Sequence, residues 1–218
     1  MLALLTAALL SAPSAQAHEL AFEIGSFSAP DDAYDLFSYN PGASTVGVRG
    51  GYALSERISV VGGWHTGRTG MDVYASDAAY DGMPLFSTSM THHRASLGVK
   101  AGLPLKPWLS PYVTAQGVAW FAAARFDDDS GQDESFNELT FRGFAPGGVA
   151  ALGVQITPVA LGSRMALSTH VEAGYGITGN LRFRDDAGRD AAAAGAPIGI
   201  GDLDFRGFVI NAGVGLSF

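Results

Sequence analysis

The sequence predicts an all-β chain, an eight-stranded antiparallel up-and-down transmembrane β-barrel, and three observations carry that expectation. The last eleven residues alternate throughout: Phe208, Ile210, Ala212, Val214, Leu216 and Phe218 share one face, and Asn211, Gly213, Gly215 and Ser217 share the other, with Val209 as the apolar exception. The 218 residues are 47% hydrophobic and only 16% charged, yet nothing after Ala17 approaches the roughly 20 consecutive apolar residues of a spanning helix. Finally, alternating segments recur along the chain and are joined by links that are short and long in turn. A strand with one greasy face separates lipid from a lumen or is half-buried in a soluble core.

The elements follow in order. Residues 1–17 read as a cleaved export signal: Leu2 to Leu10 is apolar apart from Thr6, and Ala15-Gln16-Ala17 is a small-x-small cleavage site. That stretch lacks the usual Lys or Arg. The barrel domain is then 18–218. Its first segment, Glu19 to Phe27, sets Leu20, Phe22 and Ile24 against Ala21, Glu23 and Gly25. Ala43 to Leu54 sets Val46, Val48, Tyr52 and Leu54 against Thr45, Gly47, Arg49 and Gly51. Ile58 to Gly67 opposes Ile58, Val60 and Trp64 to Ser59, Gly63 and His65. Thr88 to Leu103 opposes Leu97, Val99 and Ala101 to Arg94, Ser96, Gly98 and Lys100.

Pro104 to Pro111 carries three prolines and reads as a turn, because proline cannot sit inside a central strand. Tyr112 to Arg125 and Phe141 to Thr157 form the fifth and sixth segments. Met165 to Arg184 sets Leu167, Val171, Ala173, Tyr175, Ile177, Leu181 and Phe183 outward, against Ser168, His170, Glu172, Asn180 and Arg182. The terminal segment completes eight. Short links fall near Ser55, Pro107 and Gly162; long ones cover Ser28 to Gly42, Arg68 to Ser87, Phe126 to Thr140 and Asp185 to Leu203. Short turns on one rim and long loops on the other are how outer-membrane barrels are built. A soluble up-and-down barrel would reverse the faces, and charges would then face solvent between many glycines. Small inward residues suit a tightly curled eight-stranded wall.

Composition excludes several functions. A net charge of -8 argues against nucleic acid, which requires a basic surface. With no cysteine, disulfides, zinc-thiolate sites and thiol chemistry are ruled out.

The alternation ending on Phe218, with Leu216, Val214, Ala212 and Ile210 on its face, resembles the C-terminal signal recognised by the barrel-assembly machinery. The Gly-rich alternation, Pro111-Tyr112-Val113-Thr114-Ala115 and Gly213-Val214-Gly215-Leu216-Ser217-Phe218 together resemble the small outer-membrane barrels of the OmpA/OmpX type. The resemblance is architectural and covers the mature chain, without a peptidoglycan-binding domain after the barrel. It implies an outer-membrane location, lipid and lipopolysaccharide as surroundings, the assembly machinery as partner during biogenesis, and a monomer.

Charges enclosed by a narrow barrel need partners. The inward Glu23, Arg49, Lys100 and Glu172 are expected to form a cross-lumen network, joined higher up by Arg94, His170 and Arg182. Such a network is either a plug or the gate of a narrow solute channel. His92 and His93 are adjacent on a strand, point to opposite faces and cannot chelate one ion together; His65 and His170 stand isolated in sequence. Ser168, His170 and Glu172 invite a hydrolase reading, but they face the lumen rather than a lipid-facing groove. Neither a catalytic, metal nor cofactor site is expected. Asp127, Asp128, Asp129, Asp133 and Glu134 read as a solvated loop face, and Ala191 to Ala194 as a mobile loop. Tyr52, Trp108 and Phe218 are expected at one interface, Phe183, Phe144 and Trp64 at the other. The function expected is structural or surface-interactive through the long loops.

Overall fold

The computed structural model describes residues 18–28, 32–40, 42–74, 84–128, 138–161, 165–190, 193–194, 200 and 202–218. Eight antiparallel strands close into one barrel: β1 (Glu19–Ser28), β2 (Gly42–Ala53), β3 (Ile58–Tyr74), β4 (Pro84–Gly102), β5 (Leu109–Asp128), β6 (Leu139–Ala160), β7 (Ala166–Thr178) and β10 (Gly207–Ser217). Each neighbours the next in sequence, and β1 pairs with β10 to close the wall. A two-stranded ribbon, β8 (Leu181–Arg182) and β9 (Asp202–Leu203), lies outside the barrel sheet. The export-signal expectation for residues 1–17 falls outside the described residues.

The period-two pattern explains the wall. Leu20, Phe22 and Ile24 are 57–58% exposed while Glu23 between them is 1% exposed. The same holds on β6, where Leu152 is 69% exposed beside the inward Ala151 at 7%. Burying these apolar faces needs hydrocarbon outside, because the interior is already filled.

The central strands are longer than their patterns suggest. β3 continues through Arg68 to Tyr74, and β4 begins at Pro84 and pairs with it, so much of the expected second loop is ladder. β5 likewise runs to Asp128 and β6 from Leu139. Four strands of 17 to 22 residues therefore stand beside four of 10 to 13. The prolines yield a second correction. β5 starts at Leu109, with Pro111 opposite Val154, so the expected turn is shorter. Strand beginnings tolerate proline. Pro146 sits within β6, where its carbonyl accepts the Gly179 N–H at 2.9 Å. Since N and O of one antiparallel residue face the same neighbour, its missing donor falls on the β7 side, where that ladder ends at Thr178.

Past Thr178 the side chains change faces. Thr178 lies opposite Gly147 and Arg184 opposite Arg142, so one chain advances six residues while its partner advances five. A one-residue bulge inverts every following side chain. Leu181 and Phe183, expected outward, are 0% and 4% exposed. Arg182, expected in the lumen, points outside with its side chain 68% exposed, 3.5 Å from Asp202. It does not belong to the interior network.

The interior has two tiers. Toward the rim carrying His18 and Phe218 it is polar. Toward the long-loop end it is an apolar core of Phe27, Met90, Trp120, Phe126 and Phe141. That core is closed by Tyr34 and Phe37, at and beside a 3-10 turn (Asp32–Leu36), and by Leu203 and Phe205. Phe27, Trp120 and Phe205 meet at centroid distances of 4.7–5.2 Å. The Thr88 hydroxyl donates to the Leu36 carbonyl and fixes the turn. At the opposite rim His18 N donates to Phe218 O at 2.7 Å, Phe218 N to His18 O at 2.9 Å, and the His18 ring stacks on Tyr52.

Candidate functional site: the lumenal charge cluster

The polar tier centres on Glu23 of β1. His65 Nε2 lies 2.7 Å from Glu23 Oε2, His170 Nε2 lies 2.6 Å from Oε1, and Arg49 Nη1 is 3.1 Å away. His65 is on β3 and His170 on β7, so each reaches across a whole strand. Both crossings are made over glycine. Gly47 of β2 pairs with Glu23 on one side and His65 on the other; Gly213 of β10 pairs with Glu23 and His170. A Cβ on Gly47 would stand 2.5 Å from His65 Cδ2, and one on Gly213 would stand 2.7 Å from His170 Nε2. Both glycines are therefore required by close approach rather than by backbone torsion. The two histidines, isolated in sequence, are partners of one carboxylate.

A second carboxylate is held the same way. Glu172 takes Arg49 Nη1 at 2.9 Å, the Tyr112 hydroxyl at 3.2 Å and Asn211 Nδ2 at 2.9 Å. Tyr112 reaches it over Gly153, whose Cβ would lie 2.6 Å from the phenol oxygen. Nearer the rim, Glu19 Oε2 accepts from Lys100 Nζ at 2.5 Å, and Glu19 Oε1 is 3.4 Å from Arg49 Nε. Lys100 also donates to Gln155 at 3.0 Å. One guanidinium thus bridges three carboxylates, and Lys100 joins the network through Glu19.

Arg94 is 5% exposed and lies with its guanidinium 5.7 Å from the Trp120 ring. Among the described residues no carboxylate stands within ion-pair distance of it. It marks the boundary between tiers. Glu19, Glu23 and Glu172 match Arg49, Lys100 and Arg94 in number. Pairing and balance together are what make buried charge tolerable. Between Glu23, Arg49, His65, Arg94, Glu172 and Asn211 a cavity leaves about 10 Å³ for a water's centre, room for a single molecule.

Ser168, His170 and Glu172 do not bond to one another. The Ser168 hydroxyl donates to the Gly215 carbonyl at 3.4 Å, His170 is bonded to Glu23, and Glu172 is taken by Arg49, Tyr112 and Asn211. Among the described residues no group of three or more His, Asp or Glu is arranged to hold a metal ion. His92, on the same face as Arg94, sits in the aromatic tier against Phe27 at 5.0 Å. His93 points the other way and stacks on Trp64 at 5.4 Å.

The remaining expectations divide. Phe218, Val214 and Ile210 are 50–54% exposed on the outward face of β10, which Leu216 and Ala212 share. Tyr52, Trp64 and Phe144 are also outward, at 46–62% exposure, whereas Phe183 is interior. Asp127 is bound by Arg125 at 2.9 Å; Asp129, Asp133, Glu134, Ala191 and Ala192 lie outside the described residues. Ala194 packs against the apolar core. Sequence reasoning missed Glu19, His65, Tyr112 and Asn211 as network members, although Glu19 shares the parity of Glu23 and Asn211 that of Gly213.

No protein-family model matches the sequence, and no curated protein matches it. Among solved structures it is similar to the outer membrane protein OprG from Pseudomonas aeruginosa, at 13% identity and TM-score 0.51, over 95% of this chain and 98% of that one. Weaker likenesses are Ail, the attachment invasion locus protein of Yersinia pestis (11%, TM-score 0.43, 94% and 97%), and the outer membrane protease OmpT from Escherichia coli (10%, 0.38, 94% and 97%). Neither of those two bears on the argument. The chain has the fold of the small eight-stranded outer-membrane β-barrels.

Proposed function

We propose that the chain is an integral outer-membrane barrel with a plugged interior, acting structurally or by surface contact through the long-loop end. The observation that carries this reading is the two-tier filling. An ion-pair cluster occupies one half of the lumen and a ring-packed core the other, leaving room for one water between the charges. The exposed apolar belt supports membrane insertion, and the tall β3–β6 wall supports a role beyond the bilayer. The outward face of β10, from Ile210 to Phe218, is the surface the barrel-assembly machinery would take during insertion. The protein is read as non-enzymatic and monomeric.

Conductance tests the plug. The protein reconstituted in a planar bilayer should show none above background, and Glu23→Ala should leave that unchanged because the aromatic tier still closes the lumen. Steady single-channel currents that alter with Glu23→Ala would instead establish the cluster as a gate.

A further inference from the structure

The outer face of β6 carries cations that the lumenal cluster does not use. Arg142 lies two residues beyond Phe144 on the same outward face, and Arg184 stands directly opposite it across an antiparallel bridge. Their backbones exchange hydrogen bonds of 2.8 and 3.0 Å. Arg182 shares that outward side; the Arg142 and Arg182 side chains are 69% and 68% exposed. Like charges directly opposite on neighbouring strands repel, and an anion between them relieves that repulsion.

The chain answers this in part. Asp186 Oδ1 is 2.7 Å from Arg142 and Asp202 Oδ2 is 3.5 Å from Arg182, but Asp186 is 89% exposed and such pairs are weak. Among the described residues Arg184 Nη1 donates to the Gly188 carbonyl, at 3.3 Å. Among the described residues no carboxylate lies within ion-pair distance of Arg184. On β5 the neighbour of Arg142 is the small Ala123, which leaves the guanidinium uncovered. Just below, Phe144 and Phe121 meet at 5.1 Å and are 54% and 41% exposed. Exposed rings of this kind settle near headgroup level.

The geometry points to a binding site for the phosphate group of an outer-leaflet glycolipid, held by Arg142 and Arg184 with Arg182 as third donor. It rests on the outer-membrane reading above. Two guanidinium groups facing each other across one bridge offer donors suited to phosphate oxygens, and the rings beneath receive the acyl chains.

The test titrates the folded full chain, in phosphatidylcholine nanodiscs, with lipid A and with the same lipid after dephosphorylation. Heat-modifiable migration, checked first, reports separately whether the barrel has inserted. The phosphorylated lipid should bind about tenfold more tightly than the dephosphorylated one, and the Arg142→Gln/Arg184→Gln variant should lose that difference. Arg125→Gln removes an equally outward cation already held by Asp127 and Glu138, and it should bind as the parent does. Equal binding of the two lipids, an unchanged double variant, or an equal loss in Arg125→Gln would overturn the assignment. Full displacement by inorganic phosphate would overturn the lipid as its source.

Discussion

Glu23 is the residue on which the interior turns, and the glycines beside it are what let it act. Glu23→Ala takes one of three carboxylates from Arg49 and leaves His65 and His170 without their shared one, and breaking a buried pair costs about 3–5 kcal/mol. The urea midpoint of the barrel in vesicles should fall accordingly. Gly213→Ala tests the strand crossing by itself: the added methyl meets His170 Nε2 at 2.7 Å, and overpacking of this kind costs about 1–3 kcal/mol. Gly50→Ala, whose Cβ finds only the Glu19 carbonyl at 3.9 Å, should leave the midpoint unchanged. Outside the membrane, Asp185 supplies a pH test. It accepts the Arg189 backbone N–H at 2.7 Å and the Ala187 N–H at 3.0 Å, and the Arg189 bond first among its contacts holds its carboxyl below the usual carboxylate range. Its contribution is present above the unfolded carboxyl's pKa and is lost as pH falls through the lowered folded one. The Arg189 amide shift should therefore titrate with a midpoint below about 3.9; a midpoint above that contradicts the turn.

At the scale of elements, the bulge after β7 separates what alternation can read from what it cannot. Leu181→Ala removes a side chain with 0% exposure and should cost about 2–5 kcal/mol in the same unfolding measurement. Arg182→Ala alters a side chain that is 68% exposed outside the barrel and should cost less than about 1 kcal/mol. Equal costs would mean the faces never inverted. Along β7 up to Thr178 the period-two pattern places inward and outward residues because β7 keeps one register with β10 throughout. Beyond it, one extra residue reverses Leu181, Arg182 and Phe183, and no local motif marks where that residue sits. The extension of β3 to Tyr74 and of β4 back to Pro84 escaped for another reason: above the bilayer the inner face turns apolar, with Val73, Phe86 and Met90 against the core, so the polarity of the alternation reverses while the ladder continues.

For the whole molecule, the strand count, the closure of β1 on β10 and the direction of the greasy face were all legible, since each follows from parity and link length. The members of the charge cluster were only partly legible. Parity places Glu23, Arg49 and Glu172 in the lumen, but which charges meet depends on stagger between strands that are distant in sequence. The aromatic tier was available from the same parity, which turns Phe27 inward after Glu23 and Gly25. The charges drew attention from it. These two fillings and the apolar belt together make the central claim: the packed core lies inside the wall and the hydrocarbon outside.

The three tryptophans test it without foreign labels. Trp64 is 46% exposed on the outer face and Trp120 is 2% exposed within the lumen. Single-tryptophan variants, with the other two changed to phenylalanine, are folded into vesicles containing brominated acyl chains. Trp64 fluorescence should be strongly quenched, and Trp120 should be reached by neither the brominated chains nor aqueous iodide. Quenching of Trp120 by brominated lipid with Trp64 untouched would show the wall turned inside out.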